Sequence, residues 1–213
     1  MKNFLFHTSV FAVFLFCCIS LHAEGKNVQF DSVCHGLTAH AVTSGNFTQV
    51  KRSASVNREL KSSGDYIFSN EGIVWNTQRP FSSVLAITNS SIIQTLPDGS
   101  SSIIDGSDNQ VFANIAGSLS SLFSGNRDLL ESNFHVKFMS TPSSWKMILS
   151  PKDATIASAL QSIVLTGKSV SEQASLDSML IEEVSGNSVY YAFKNQVYKE
   201  ELSDAEKAFF SAK

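Results

Sequence analysis

The spacing of apolar positions changes along the chain, and each change marks a different kind of element. Between Asn27 and Leu37, Val28, Phe30, Val33, Cys34 and Leu37 recur close to an i, i+3, i+4 spacing, which predicts a short amphipathic helix. From Gly45 the period shortens to two. Phe47–Lys51, Tyr66–Phe68, Ile73–Trp75, Val84–Ile87 and Ile92–Gln94 read as strands, separated by the turn-forming stretches Ser62–Asp65, Asn70–Gly72, Arg79–Pro80, Asn89–Ser90 and Pro97–Gly99. This order predicts an antiparallel meander.

Asp108–Phe123 interrupts the meander with Phe112, Ile115, Ala116, Leu119, Leu122 and Phe123 on one helical stripe. Ser107 and Gln110 form a capping box ahead of it, and Gly125 lies just past its end. Alternation then resumes at Phe134/Val136/Phe138, Trp145/Met147/Leu149, Ile163/Leu165, Leu176–Ile181 and Val189/Tyr191/Phe193, the last two joined through Ser185–Gly186–Asn187. Ser203 and Glu206 cap a short tail helix running through Phe210, at a chain end where fraying is common. The fold class this predicts is mainly β with helices (α+β): a strongly curved antiparallel sheet, with helices on its concave side over either a filled core or an apolar cavity.

The N-terminus does not belong to that pattern. Met1-Lys2-Asn3 precedes the apolar stretch Phe4–Leu21, and Leu21-His22-Ala23 ends in a small residue, which reads as a secretory signal peptide over 1–23 cleaved after Ala23. An uncleaved anchor is the alternative; His7, Thr8, Ser9 and Ser20 within the stretch and the alanine exit favour cleavage. Neither Cys17 nor Cys18 follows the small residue that a lipid-modified cysteine needs. Residues 24–213 then form one domain whose sole cysteine is Cys34, so no internal disulfide supports it. Charged residues make up 16% of the chain and hydrophobic ones 43%, the reverse of a disordered composition. With 16 Lys+Arg against 19 Asp+Glu, no surplus of positive charge is available for nucleic acid.

Catalytic signatures are lacking. Neither Ser62-Ser63-Gly64 nor Gly117–Ser121 completes the G-x-S-x-G frame that exposes a serine nucleophile. Cys34, His35 and His40 lack metal-ligand spacing, and Cys34 falls on the apolar stripe of the first helix, where a thiol acts as a small hydrophobe. Glu182-Glu183 and Glu200-Glu201 are adjacent pairs; on a strand, neighbours point to opposite faces. No phosphate-binding glycine loop is present. These absences, together with large side chains on two-faced strands, predict a binding protein without cofactor or metal rather than an enzyme.

Gly45-Asn46-Phe47-Thr48-Gln49-Val50-Lys51, Leu60–Phe68 with its Ser-Gly-x-aromatic core, and Gly72–Thr77 ahead of Pro80-Phe81 occur in an order that resembles the N-terminal half of the LolA-like family of periplasmic outer-membrane lipoprotein carriers. Trp145–Lys152, ending in Leu-Ser-Pro-Lys, and Ile163–Lys168 are similar to the family's later strands. The resemblance spans Val28 to Phe193. It implies an incomplete barrel under a helical lid, an apolar cavity for acyl chains, a periplasmic location, an inner-membrane donor transporter, an outer-membrane acceptor and a monomer. It also implies an arginine before a proline, ahead of the tryptophan, that latches the lid. Here Phe68-Ser69-Asn70-Glu71-Gly72 has neither residue, and Arg79-Pro80 follows Trp75 instead. That departure keeps a second carrier role open, the export of one lipid or glycolipid, beside general lipoprotein transport. A sensory module that binds a regulator on the same fold is the alternative without cargo transfer.

Phe47, Tyr66, Phe68, Trp75, Leu85, Ile87, Phe112, Ile115, Leu119, Trp145, Met147 and Leu149 are the candidate cavity lining. The same alternation also serves a packed core, and a slip of one residue would replace Tyr66 and Phe68 by Ile67, or Trp75 by Val74.

Overall fold

A computed structural model describes residues 28–56, 58–88, 91–105, 127–170 and 173–211 of the chain. The signal sequence over 1–23 and the amphipathic helix expected over Asp108–Phe123 lie outside these residues, and with them Phe112, Ile115 and Leu119.

Helix α1 (Phe30–Leu37) turns Val33, Cys34 and Leu37 inward, as its apolar stripe requires, and starts later than the spacing predicts. It ends where the Thr38 hydroxyl donates to the Cys34 and His35 carbonyls, each at 3.1 Å. The first meander follows: β1 (Val42–Ser53), β2 (Arg58–Ser69), β3 (Gly72–Arg79), β4 (Ser83–Ile87), β5 (Ser91–Thr95) and β6 (Ser101–Asp105). β1 begins before Gly45, at Val42-Thr43, two strand-favouring residues in a run too short to show alternation. β6 is a Ser-rich edge strand whose signal lies only in Ile103 and Ile104.

The second half opens with α2 (Arg127–Asn133), which the polar sequence conceals, and continues through β7 (Phe134–Ser140) and β8 (Ser144–Pro151). A single-turn helix, α3 (Ala154–Ala157), then leads into β9 (Leu160–Val170), β10 (Gln173–Ala174), β11 (Ser178–Glu183) and β12 (Ser188–Lys199). The chain finishes with α4 (Asp204–Lys207), running directly into a tight helical turn over Ala208–Phe210.

All the strands join one antiparallel sheet in the order β6-β5-β4-β3-β2-β1-β12-β11-β9-β8-β7, with β10 pairing to β9 alone. Within each half, neighbours in space are neighbours in sequence, except that β11 passes over the two-residue β10 to pair with β9. The two halves meet where β12 pairs with β1, placing Phe47 opposite Phe193 and Gln49 opposite Tyr191. β6 and β7 are the outer edges and do not pair with each other, so the sheet curls without closing. The curl is helped at Gly64, where β2 shifts register against β3; a Cβ there would lie 2.0 Å from the Asn76 carbonyl oxygen.

Curvature divides the apolar residues between two faces. On the inner face lies the larger core, including Phe47, Tyr66, Phe68, Ile73, Leu130, Phe134, Trp145, Met147, Leu149, Ile163, Leu165 and Phe193. On the outer face, Ile67, Val74, Ala86 and Ile93 stand in register across β2, β3, β4 and β5, and are covered by Leu202, Phe209 and Phe210 of the tail. The tail is therefore docked, not frayed.

Candidate functional site

Period-two geometry sets the inner wall. Tyr66, Trp75, Leu85 and Gln94 pair side by side across β2 to β5, and Phe68, Ile73, Ile87 and Ile92 form the parallel row. From the other half, β12 contributes Val189, Tyr191 and Phe193 on the same side. The curl brings the Tyr191 ring to 5.6 Å from that of Trp75 and 5.9 Å from that of Phe47.

Below these rings the sheet and the Ser158-Ala159 link that follows α3 leave a cavity of about 680 Å³. Trp75, Leu85 and Ile87 form one wall, Met179, Ile181, Val189 and Tyr191 the opposite wall, and Ser158, Ala159 and Leu160 the floor. This is the size range of small-molecule sites, roughly 300–1,000 Å³. α3 fixes the floor: the Asp153 carboxylate accepts from the Thr155 and Ile156 amides at 2.9 and 3.0 Å, and Ile156 is drawn into the core. Glu183, Val184 and Ser185 stand at the mouth. The Glu183 carboxylate is held there by the Ser185 hydroxyl at 2.8 Å and the Asn187 amide at 3.0 Å.

A second chamber of about 360 Å³ adjoins the first and shares Trp75, Leu85 and Tyr191 with it. Phe47, Val84 and Ile92 supply its apolar surface; Gln49, Thr77, Ser83 and Gln94 supply neutral polar groups. The Gln49 amide nitrogen donates to the Tyr191 hydroxyl at 2.5 Å, and its oxygen accepts from Ser62 at 2.7 Å. Burial pushes the Tyr191 phenol above its ordinary value, and the Gln49 hydrogen bond opposes that rise without cancelling it. The ring stays neutral.

The lining expected from sequence thus divides. Trp75, Leu85 and Ile87 face the larger cavity, and Phe47 faces the smaller one. Tyr66 and Phe68 border a cleft of about 10 Å³ beside Leu37, Leu176 and Tyr198; they pack with Phe193 at ring separations of 4.9 and 5.5 Å. Met147 and Leu149 are fully buried in the core, and the Trp145 indole donates to the Lys168 carbonyl at 3.2 Å, close to Gly167. The side on which Tyr66, Phe68 and Trp75 fall is the one that alternation gives; Ile67 and Val74 face the tail.

Sequence reasoning missed Tyr191, Met179, Ile181, Leu160 and Val184. Tyr191 and Ile181 were readable as members of two-faced strands, but only the join of β12 to β1 makes them face Trp75. Asp153, an N-cap residue soon after Pro151, was the local signal for α3 and hence for the floor.

Two buried polar atoms, Tyr66 Oη and Trp75 Nε1, have no hydrogen-bond partner among the described residues. Cys34 is buried away from the cavity and its thiol is pushed up to about 11, chiefly by burial, with Arg127 pulling the other way. Among the described residues no His, Cys, Asp and Glu side chains group to hold a metal ion, and no helix is long and apolar enough to cross a membrane.

Several solved structures are similar to this chain. A DUF1329 family protein from Desulfovibrio piger aligns at 12% identity and a TM-score of 0.49, covering 82% of this chain and 93% of that one. A LolA superfamily protein from Nitrosomonas europaea aligns at 10% identity and 0.44, with 82% and 93% coverage. An uncharacterized conserved protein from Thermus thermophilus aligns at 8% identity and 0.47, with 83% and 89% coverage. No curated protein sequence matches the chain. A family model described as outer membrane lipoprotein carrier protein LolA-like matches residues 22–181, most of the chain beyond its apolar N-terminus, and the chain accordingly belongs to the LolA-like family.

Proposed function

We propose that residues 24–213 form a periplasmic carrier that takes acyl chains of a lipid or lipoprotein into the cavity between β3–β4 and β11–β12 and moves them from the inner to the outer membrane. The single observation that carries this reading is the cavity of about 680 Å³, walled by Trp75, Leu85, Ile87, Met179, Ile181, Val189 and Tyr191. Burying acyl chain contributes about 0.8 kcal/mol per CH₂. A wall of aliphatic and aromatic side chains is therefore enough for affinity, and no nucleophile or metal is required. Membership of a family named for lipoprotein carriage supports the same conclusion.

The route begins with export through the signal sequence over 1–23 and involves an inner-membrane donor and an outer-membrane acceptor, with the protein acting as a monomer. Arg79 is exposed at the end of β3 and lines neither chamber. This favours a carrier dedicated to one lipid class over one that shares the arginine latch of general lipoprotein carriers.

The test is lipid analysis by mass spectrometry of protein purified from its native periplasm, paired with uptake of a fluorescent fatty acyl probe. Copurified acylated cargo and saturable uptake are expected. Protein that carries no lipid and takes up no probe would refute the carrier. A membrane regulator captured by crosslinking, without lipid exchange between vesicles, would instead establish the sensory role.

A further inference from the structure

Taken together, the two adjoining chambers suit an amphiphile: the larger is strongly apolar, and the smaller, which shares Trp75, Leu85 and Tyr191 with it, adds a band of polar side chains to its apolar wall. That band is unusual in its charge. Gln49, Thr77, Ser83 and Gln94 are all neutral, and among the described residues no Lys, Arg or His lines either chamber. Beside the neutral Tyr191 phenol, the one carboxylate among the described lining residues is Glu183, at the far mouth and already engaged by Ser185 and Asn187. A carboxylate or phosphate headgroup would thus meet no cation at one end and a like charge at the other, and desolvating an unpaired anion is costly.

Neutral headgroups meet the opposite situation. Gln49 already holds Tyr191 and Ser62, so its amide is fixed as part of the wall. Among the described residues no side-chain hydrogen bond engages Thr77, Ser83 or Gln94, which leaves hydroxyl and amide groups able both to donate and to accept. Trp75, only 7% exposed, has an indole N–H with no acceptor among the described residues, and its ring borders both chambers. A buried donor left unmade is destabilising, and an ester or amide carbonyl at the neck of a bound amphiphile removes that cost once the indole tilts toward it.

Building on the carrier reading, we propose that the ligand is a neutral, single-chain amphiphile: its acyl chain fills the larger chamber, its carbonyl accepts from Trp75 Nε1, and its hydroxyl-bearing headgroup occupies the Gln49/Thr77/Ser83/Gln94 chamber. The shared chemistry covers acylglycerols and acylated sugars, and it excludes free fatty acids and acyl phosphates.

Calorimetric titration of the mature protein with monolauroyl glycerol, laurate and monododecyl phosphate, each below its micelle threshold, tests the proposal. The glycerol ester is expected to bind about tenfold or more tightly than either anion, the discrimination an unpaired desolvated charge imposes. Thr77→Lys, or Gln94→Lys at the exposed rim should the first variant not fold, is expected to narrow or reverse that preference. Trp75→Phe is expected to weaken monolauroyl glycerol about fivefold more than the monododecyl ether of glycerol, since both lose the same packing but only the ester carries the carbonyl that accepts from the N–H. Equal or tighter anion binding, or a preference unmoved by either lysine, overturns the neutral-headgroup assignment. An equal effect of Trp75→Phe on both ligands overturns the role of its N–H. Failure of every probe to bind overturns the carrier reading itself.

Discussion

Trp75 and Tyr191 face each other with ring centroids 5.6 Å apart at 38°, although they come from opposite halves of the chain. Their approach depends on the pairing of β12 with β1, which curls the two meanders toward a common inner face. The rings form the neck between the two chambers, so the same contact supports the fold and shapes the cavity.

Filling the cavity and hollowing the core should therefore have opposite consequences. Ile181 is half-buried on the cavity wall, whereas Met147 is 0% exposed within packed side chains. Ile181→Trp is expected to abolish uptake of an acyl probe with little change in melting temperature, because the indole occupies open space. Met147→Ala is expected to cost about 2–5 kcal/mol of stability while leaving uptake intact at temperatures where the protein is folded. Thermal melts and probe titrations on both variants decide it.

Gly167 stands opposite Trp145 across β8 and β9, and the indole lies over it. A Cβ at that position would fall 1.8 Å from the Ser175 carbonyl oxygen and 2.7 Å from the Trp145 ring, so either the strand or the indole would have to move. Gly167→Ala is expected to destabilise by at least about 3 kcal/mol, among the larger effects of a single substitution. Denaturant unfolding measures this, and a loss below about 1 kcal/mol would show that the close approach relaxes easily.

The Cys34 thiol, pushed up to about 11 by burial, should be nearly inert in the folded protein. Its reaction with an aromatic disulfide reagent at neutral pH is expected to be at least about a hundredfold slower than in denaturant. The folded state holds the proton more tightly than the unfolded one. This contribution to stability is thus fully present below the ordinary thiol range and fades as pH rises toward the folded value. Cys34→Ser should remove that part of the alkaline dependence.

Much of this architecture was legible because strands report their faces through alternation. Phe47, Tyr66, Phe68 and Trp75 fall on one side, as a period of two requires. What alternation could not show was which of them bound open space. Tyr66 and Phe68 are sealed by Phe193, a contact made only when the last strand pairs with the first, while Trp75 and Leu85 border a void that Met179 and Ile181 line from the other half. The runs Tyr66-Ile67-Phe68 and Ile73-Val74-Trp75 also blurred the choice of face, since they are buried throughout. That continuity has a distant cause: the tail residues Leu202, Phe209 and Phe210 cover Ile67 and Val74 from outside.

The tail makes a final prediction through its capping box. The Ser203 hydroxyl accepts from the Glu206 amide, while the Glu206 carboxylate accepts from the Ser203 amide at 2.9 Å and from the Lys199 ammonium at 2.5 Å. Burial pushes the Glu206 carboxyl up, but Lys199 and Ser203 outweigh it and hold the group below its ordinary value. A depressed carboxyl contributes stability that is present above its unfolded value and is lost as pH falls through the folded one. The tail should therefore loosen in acid, below about pH 4.5, exposing the row Ile67, Val74, Ala86 and Ile93. Amide hydrogen exchange should show early loss of protection in residues 202–210 on acidification, ahead of β2 and β3. Glu206→Gln should bring that loosening to neutral pH in part, by removing the charge that Lys199 and the helix N-terminus both favour. Phe209→Ala with Phe210→Ala should expose the same row at every pH, raising dye binding and self-association. If acid leaves the tail protected while the double alanine variant releases it, apolar burial alone holds the tail and the Glu206 contacts add nothing measurable.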